Sequence, residues 1–411
     1  MATTAPERRT APTAAAQRAG QDTRAVPDTR AVRAPVVTAL HLSAFRTLRA
    51  RTVPLEPLTV VTGPGGSGRT SVLQGYEALA RLAAGAALDD VFTAGRGEPS
   101  PYVPQAAHPD RQGRRGFRLG CAVAGPAGPL RFDVAVQAEP ELRVVGERLT
   151  DAHGTTLLAT ALRDPARRAV EATCRAAGAA RALRTPFPDD RLTLPLLPLR
   201  MAGTTGAERA LLQAAEQVVV ALRSAFGCAP VPARMRDPVA VRDGMLHGDC
   251  ANLADVLRRT RAECATRHAA LLAAVRDGCT GTVAELRAEE CGSGLVRAVL
   301  DREHAGAVTP VAWLGDGELR FLALALVLLT GPGVLSVDTV EEVPAARWAM
   351  TVLADGLDGG LDERQTAALL TLAERMSERG HVRLLATGTQ GGLLAREAAR
   401  REDVCLVDLG A

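Results

Sequence analysis

The chain has 411 residues, of which 47% are hydrophobic and 3% aromatic, and its formal net charge at pH 7 is +3. This length allows one large domain or two ordinary ones, with enough apolar residues for a core. The small net charge gives no argument for nucleic-acid binding, and the scarcity of aromatic side chains removes a stacking platform for single strands.

The start of the chain changes character near residue 35. Residues 1–34 are rich in Ala, Thr, Pro and Arg and lack the hydrophobic stretch of a signal peptide. They are predicted to be a disordered tail. A first strand is predicted over residues 36–42, and a second over residues 58–62. The second strand leads directly into a glycine-rich turn.

That turn, residues 63–70, reads G-P-G-G-S-G-R-T and matches the pattern of a phosphate-binding P-loop. Its glycines let the backbone pass close to a ligand. Its amide N–H groups and the N-terminus of the following helix both point at the position of a bound anion. That helix is predicted to end near Ala84. Thr70 can place its hydroxyl on Mg²⁺. A tight strand–helix turn without a ligand is the alternative. The predicted nucleotide-binding residues of this loop are Gly63, Gly65, Gly66, Ser67, Gly68, Arg69, Thr70 and Ser71.

Arg69 stands where the P-loop pattern has lysine. All 49 basic residues of the chain are arginine, so a coding bias accounts for part of this difference. The guanidinium pairs with phosphate oxygens through a planar fork, but it is bulkier than the compact ammonium of lysine. Weaker phosphate contacts are therefore expected.

The middle of the chain divides into a β-rich and a helical part. Residues 85–115 are expected to form a loop, and three strands follow up to Leu149. Two helices are predicted with apolar residues on one face, over residues 206–226 and 252–275. The predicted segments are a tail (1–34), an N-terminal lobe with the P-loop (35–160), a helical insert (161–306) and a C-terminal lobe (307–411).

The C-terminal lobe carries further motifs. Residues 313–320 read W-L-G-D-G-E-L-R and precede a predicted helix, with Asp316 as a plausible N-cap. Residues 334–338 form a predicted apolar strand ending in Asp338, the layout of a Walker B strand whose carboxylate holds Mg²⁺ through water. Each pattern alone is commonplace; their order after the P-loop is not. The remaining predictions are helices over 344–356 and 362–379 and strands over 382–387 and 404–409.

Together these patterns predict an α/β fold of the P-loop NTPase type, with a β-rich N-terminal lobe and a helical insert. The eight cysteines are scattered without a C-x-x-C pair, which indicates neither a zinc site nor a disulfide framework. Free thiols fit a reducing cytosol. The longest apolar stretch, residues 321–329, is too short to span a membrane. A cytoplasmic location is therefore expected.

The chain resembles the ABC-type ATPase heads of the RecF/SMC class, in the subgroup of stand-alone bacterial AAA-like ATP-binding proteins. The resemblance lies in four motifs: the opening strand around Leu42–Leu48, the signature at 313–320, Walker B at 334–341 and the switch at 384–389. It implies ATP and Mg²⁺ as ligands. It also implies a homodimer in which two heads enclose two nucleotides, the P-loop of one head facing the signature of the other.

Residue roles follow from this resemblance. Arg46 joins the nucleotide-binding residues, and Gln105 is a candidate Mg²⁺ contact in the loop after the P-loop helix. Thr70 and Asp338 are the expected Mg²⁺ residues. The implied catalytic residues are Asp338, Thr339 and Glu341, the implied signature residues are Gly315, Asp316, Gly317 and Arg320, and the implied switch residues are Thr387 and Gly388.

The positions at which the chain departs from the family pattern are those that contact phosphate or catalyse hydrolysis in the family. Arg69 replaces lysine, Gly315 the signature serine, Thr339 the Walker B glutamate and Gly388 the switch histidine. Losing a general base typically costs about 10²–10⁴ in rate. Glu341 occupies the second acidic position of the family motif. The expected protein binds ATP and hydrolyses it slowly or not at all, so whether it is an enzyme stays open.

Two other functions compete with this one. The first is a non-catalytic pseudo-ATPase module that docks a partner protein. The second is DNA engagement by analogy with DNA-repair relatives, for which fold-level analogy is a weak warrant. The small basic cluster of Arg111, Arg114 and Arg115 is better explained as a solvated loop than as a nucleic-acid contact.

Overall fold

Two β-sheets, one antiparallel and one parallel, organise the protein. The computed structural model describes residues 34–93, 98–174, 183–302, 308–331, 335 and 349–410. The tail predicted over 1–34 therefore lies almost wholly outside the described residues, as do Asp338, Thr339 and Glu341.

The antiparallel sheet has eight strands in the order β2-β1-β4-β5-β6-β7-β8-β9. Its inner face supplies a core in which Phe45, Phe117 and Phe132 are fully buried. The strands are β1 (Val36–Phe45), β2 (Leu48–Pro54), β4 (Arg115–Ala124), β5 (Leu130–Glu139), β6 (Arg143–Asp151), β7 (Thr156–Ala161), β8 (Ala169–Cys174) and β9 (Leu183–Pro188).

The parallel sheet has five strands in the order β10-β15-β16-β3-β17. All five residues of β3 and all five of β15 are buried, as expected for strands covered on both faces. Parallel strands point their carboxyl ends to one edge, where ligands bind in such sheets. The strands are β3 (Leu58–Thr62), β10 (Ala225–Cys228), β15 (Met350–Ala354), β16 (Val382–Thr387) and β17 (Cys405–Asp408).

Helix α1 (Arg69–Ala83) joins the two sheets. It contacts β1 and β4 of the antiparallel sheet and β10 and β16 of the parallel sheet. The buried Tyr76 hydroxyl donates to Thr351 Oγ1 in β15 at 3.4 Å. The helix that follows the P-loop is thereby fixed against the strand that ends beside it. A second helix, α3 (Gly206–Arg223), packs against α1 and begins with a capping box formed by Thr205 and Glu208.

The remaining elements are the short helix α2, which packs in the core of the antiparallel sheet, and those that form the far side of the parallel sheet and a small third sheet. In the third sheet, β13 pairs with β11, β12 and β14. Within the described part of the chain, no helix is long and apolar enough to cross a membrane. These elements are α2 (Leu88–Phe92), α4 (Pro232–Met235), β11 (Val239–Ala240), α5 (Leu253–Glu263), α6 (Ala265–Gly278), β12 (Glu285–Glu290), β13 (Leu295–Asp301), β14 (Val308–Pro310), α7 (Asp316–Leu329), α8 (Glu363–Glu378) and α9 (Leu393–Ala399).

The secondary-structure predictions are wrong in four places. Residues 85–115 were expected to form a loop, but Leu88–Phe92 is the helix α2. Residues 344–356 were expected to be helical, but Met350–Ala354 is the buried strand β15. The insert at 161–306 is only partly helical, because it also contains the strands from β8 to β13. The single helix expected over 252–275 is two helices, α5 and α6, separated by Cys264 with an extended φ of −149°.

Buried polar contacts hold the far end of the antiparallel sheet. The carboxylate of Glu147 in β6 accepts the backbone N–H of Thr193 at 2.9 and 3.0 Å, which fixes the start of a short helical turn over Leu194–Leu199. Burial raises the pKa of Glu147 to about 7, against the opposing effect of these hydrogen bonds.

This buried glutamate makes the stability depend on pH. A carboxyl whose pKa is higher in the folded state binds its proton more tightly there. The contribution of Glu147 to the unfolding free energy should therefore be full below pH 4.5, the ordinary pKa of glutamate, and fall by about 3 kcal/mol as the pH rises to about 7. Glu147→Gln, which cannot ionise, should flatten this slope in urea titrations between pH 4.5 and 7.5. Equal slopes for both proteins would contradict the assignment.

Candidate functional site

Three loops meet at the carboxyl edge of the parallel sheet: the P-loop after β3, the loop after β15 and the loop after β16. The strand order places β16 between β3 and β15, so all three loops are neighbours. The predicted α/β fold of the P-loop NTPase type is confirmed by this arrangement of a buried parallel sheet, a glycine-rich turn and a helix.

The P-loop adopts the conformation its glycines were expected to allow. Gly68, immediately before α1, has φ +98°, in the left-handed region. A Cβ there would also lie 2.7 Å from the Leu48 side chain and 2.8 Å from Thr47 Oγ1. Only glycine fits between α1 and the β1–β2 turn. Among the described residues, the buried Ser67 Oγ has no hydrogen-bond partner.

Asp355 is the acidic residue that the structure places against the P-loop. It follows β15 directly, and its Oδ2 accepts the Thr70 hydroxyl at 2.9 Å. Its Oδ1 accepts the hydroxyl of the buried Thr387 at 2.5 Å. Thr387 Oγ1 in turn accepts the N–H of Gly356 at 2.8 Å. Thr70, Asp355 and Thr387 thus form one connected cluster, in which two of the predicted site residues meet a third that the sequence reasoning missed.

Asp355 lies beside Thr70, where a Walker B aspartate was expected; Asp338 lies outside the described residues, and its role stays a prediction. An apolar strand ending in Asp was the signal, and M-T-V-L-A-D at 350–355 carries it as well as 334–338 does. It was overlooked because the run was assigned to a helix. Gly356 follows Asp355, so the residue next to the Asp355 carboxylate has no side chain.

The electrostatics of this edge are acidic. The pKa of Glu77 on α1 is raised by burial and by the nearby charge of Asp355. A divalent cation here would relieve this repulsion. Within the described ranges, no group of three or more His, Cys, Asp or Glu side chains is placed to hold a metal by itself. Mg²⁺ commonly binds to one or two carboxylates together with substrate phosphates and water.

Arg69 connects the P-loop to the predicted switch. Its Nη1 donates to the Gly388 carbonyl oxygen at 2.7 Å. Gly388 is buried directly after β16, and its own N–H donates to Val61 O in β3 at 3.0 Å. Arg69, Thr387 and Gly388 therefore lie together at the site, as expected for P-loop and switch residues.

The predicted signature residues lie at the start of α7. Gly315 precedes the helix, and the Asp316 carboxylate accepts Arg236 Nη2 at 2.7 Å. A Cβ on Gly317 would lie 2.2 Å from Gly360 O, so this helix start packs tightly against the loop after β15. Arg320 reaches the same loop beside Gly359. Among the described residues, no hydrogen bond joins this signature segment to the P-loop of the same chain.

Arg46 contacts the helix that follows the P-loop, whereas no hydrogen bond among the described residues links Gln105 to it. The Arg46 side chain donates to Gln74 on α1, and its guanidinium lies 5.9 Å from the centre of the Tyr102 ring. Arg46 is thus directed toward the P-loop helix. Gln105 is exposed in the loop after Tyr102.

Comparisons with known proteins give matches in structure but not in sequence. No protein-family model matches the chain, and the comparison with curated proteins gave no match. The SMC head bound to the C-winged helix domain of ScpA has a TM-score of 0.47 at 10% identity, covering 88% of this chain and 91% of that one. The SMC head domain from Thermotoga maritima has a TM-score of 0.40 at 11% identity, covering 88% and 92%.

A third solved structure is an SMC head with an extended coiled coil, bound to the C-terminal domain of ScpA derived from Pyrococcus furiosus. Its TM-score is 0.42 at 9% identity, covering 88% of this chain and 92% of that one.

Proposed function

We propose that this protein binds ATP with Mg²⁺ in the P-loop site and hydrolyses it slowly or not at all. The observation that carries the proposal is the cluster of Thr70, Asp355 and Thr387 beside the glycine-rich turn. A serine or threonine at the end of the P-loop and an aspartate after a neighbouring strand are the residues that hold Mg²⁺ in P-loop NTPases.

Different groups of the chain bind the phosphates and the metal ion. Backbone N–H groups of the P-loop and the first turn of α1 bind the phosphates. The Thr70 hydroxyl oxygen would hold Mg²⁺ while its O–H still donates to Asp355, and the Asp355 carboxylate would accept hydrogen bonds from water on the metal. Thr387 would keep the Asp355 carboxylate in position.

Slow ATP hydrolysis is expected from the two glycines next to this cluster. Gly356 and Gly388 present no side chain that accepts a proton from water. Without a general base the rate falls by about 10²–10⁴. The resemblance placed the missing base at Thr339, which lies outside the described residues, whereas the contacts favour position 356.

A nucleotide titration tests the proposal. Trp313 is 77% exposed beside the signature segment and reports local change through its fluorescence. We expect saturable binding of Mg-ATP with a Kd of about 1 mM or tighter. Thr70→Ala should remove most of the Mg²⁺ enhancement, since it deletes the hydroxyl ligand, while Thr70→Ser should keep it. An unchanged signal with ATP, checked by calorimetry, would refute nucleotide binding at this site.

We also propose that nucleotide joins two copies of the chain. Among the described residues, no hydrogen bond joins the exposed Trp313 or the start of α7 to the P-loop, and the resemblance implies that a second copy brings signature and phosphate together. Light scattering during the same titration should show the mass double with ATP. A mass that stays monomeric at saturation would exclude this arrangement.

A non-catalytic docking module is the second candidate. The pair of glycines at 356 and 388 favours it, because both remove side chains next to the cluster while Thr70 and Asp355 remain. It predicts ATP binding with phosphate release no faster than the buffer background. Turnover at rates typical of ATPase heads would rule it out.

A further inference from the structure

We propose that the outer face of the antiparallel sheet, the face turned away from α1 and α3, docks an extended acidic peptide segment of a partner protein. This outer face carries three arginines, Arg49, Arg118 and Arg148, with small residues such as Ala44 and Ala135 between them. The docking is independent of the proposed nucleotide binding, because the P-loop lies at the edge of the other sheet.

Within the described part of the chain, the outer face is open to solvent although it lies in the middle of an eight-stranded sheet. Helices α1 and α3 pack on the opposite face against β1 and β4, where Phe45 and Phe117 are buried. On the outer face, Ala44 and Ala135 are only half-buried. Two cavities of about 380 Å³ each lie there, and Arg118 and Ala135 line both of them. An extended chain can therefore approach this floor of small side chains closely.

The three arginines form a series across the strands. Residues paired across neighbouring strands lie on the same face of a sheet. Arg49 in β2 pairs with Ala44 in β1, and Ala44 pairs with Arg118 in β4. Arg148 lies on β6, two strands beyond β4, and is displaced by two residues from the position level with Arg118. Since neighbouring strands are about 4.8 Å apart, successive arginines of the series have Cα atoms about 10–12 Å apart.

The positive charge of these three arginines is unpaired. No hydrogen bond or ion pair to another described residue is made by Arg49, Arg118 or Arg148. The solvent-accessible carboxylates nearby are each engaged by a different arginine, in the pairs Arg131–Asp133, Arg114–Asp110 and Arg115–Glu139. The charge left over for a ligand on the outer face is therefore positive, and it is complementary to an anionic partner.

The spacing of the arginines favours a peptide over a nucleic acid. A polyproline II chain has three residues per turn and rises about 3.1 Å per residue, so acidic side chains at every third position lie on one side about 9.3 Å apart. The guanidinium fork matches a carboxylate with two parallel hydrogen bonds. Each strand of duplex DNA carries a charge about every 3.4 Å of helix axis, so most of its phosphates would face no arginine of this series.

The test uses a fluorescein-labelled peptide of three Glu-Pro-Pro repeats, added to the full chain at about 50 mM salt, where screening is weak. By fluorescence anisotropy the wild type should bind it with a Kd of about 100 μM or tighter. A peptide of the same composition with its glutamates adjacent should bind about threefold more weakly or worse, since only one or two carboxylates then reach an arginine.

Two single variants and one control locate the site. Arg118→Gln and Arg148→Gln should each weaken binding of the spaced peptide about fivefold, the upper range for an exposed ion pair. Arg375→Gln is the matched control, because Arg375 is an exposed arginine on α8 and its loss changes the net charge by the same amount. It should bind the peptide like the wild type.

The possible results separate clearly. Weaker binding in Arg118→Gln and Arg148→Gln but not in Arg375→Gln, with melting temperatures unchanged, supports the docking; if one of the two variants unfolds, the other decides. No binding by the wild type overturns it. Equal binding of the two peptides, or equal weakening in all three variants, overturns it in favour of non-specific attraction. Tighter binding of a DNA duplex that is lost in Arg118→Gln overturns it in favour of a nucleic-acid interface.

Discussion

Asp355→Ala should weaken Mg²⁺ binding in the presence of ATP by about 10- to 100-fold, the range seen when a partner that orients a metal ligand is removed. The carboxylate accepts both the Thr70 and the Thr387 hydroxyls, so its loss leaves the expected metal ligand Thr70 unoriented. The loss of its negative charge also removes attraction for the cation. Asp355→Asn, which keeps an acceptor but no charge, should lie between the wild type and Asp355→Ala.

The measurement is a Mg²⁺ titration at a fixed ATP concentration, with binding detected by calorimetry. Asp403→Asn is the matched control, because Asp403 is an exposed aspartate just before β17, at the opposite end of the strands from the P-loop. It should titrate like the wild type. If Asp355→Ala also kept wild-type Mg²⁺ dependence, the metal carboxylate would have to be sought elsewhere, first among residues 338–341, where the sequence pattern placed it.

The P-loop could be predicted from sequence because all of its determinants are local. The buried strand β3, the glycines with positive φ and the start of α1 occupy consecutive positions. The start of α7 was predicted to within one residue: Asp316 was expected as the N-cap, whereas Gly315 is the N-cap and the helix begins at Asp316. Local turn chemistry and helix capping fix such features with little help from the rest of the chain.

Asp355 was missed because short apolar runs have no decisive period. Met350–Ala354 is five residues long, and a buried strand of that length cannot be told from part of a helix by pattern alone. Its identity as a strand comes from pairing with β10 and β16, far away in sequence. The contact between Arg69 and Gly388 is also formed between residues far apart in sequence, and the local sequence around either residue does not predict it.

The strands from β7 to β9 show that pairing with distant strands can also outweigh the intrinsic helix propensity of the residues. Residues 156–188 are rich in alanine and arginine, which are strong helix formers. Sheet pairing overrides this preference, because β-structure depends on cross-strand neighbours more than on intrinsic propensity. The helical insert was therefore predicted too broadly, while helix α3, whose apolar face is regular, was located to within a few residues.

Restoring a carboxylate next to Asp355 should restore turnover. Gly356→Glu is expected to raise the rate of phosphate release by about 10²-fold, the lower end of what a general base contributes. A Cβ at 356 would meet nothing within 4 Å, so the side chain has room. The cost is conformational: φ is +56° at this position, which disfavours a side chain by about 1–2 kcal/mol.

The controls separate chemistry from strain. Gly356→Gln has nearly the same shape and the same strain but cannot take a proton, so its rate should stay at the wild-type level. Gly356→Ala measures the strain alone through its melting temperature. Single-turnover release of phosphate from labelled ATP is the readout, with enzyme in excess so that product release does not limit the rate.

The comparison also tests which position lost the base. A rise in Gly356→Glu but not in Gly356→Gln would place the lost base at 356. If instead Thr339→Glu restored turnover and Gly356→Glu did not, the base position would belong to the 334–341 motif, and Asp355 would serve the loop geometry rather than the metal. A wild type already as fast as Gly356→Glu would mean that another carboxylate acts as base, with Glu341 the first candidate. A slow wild type together with a fast Gly356→Glu would be the result expected of a protein that holds the nucleotide rather than cleaves it.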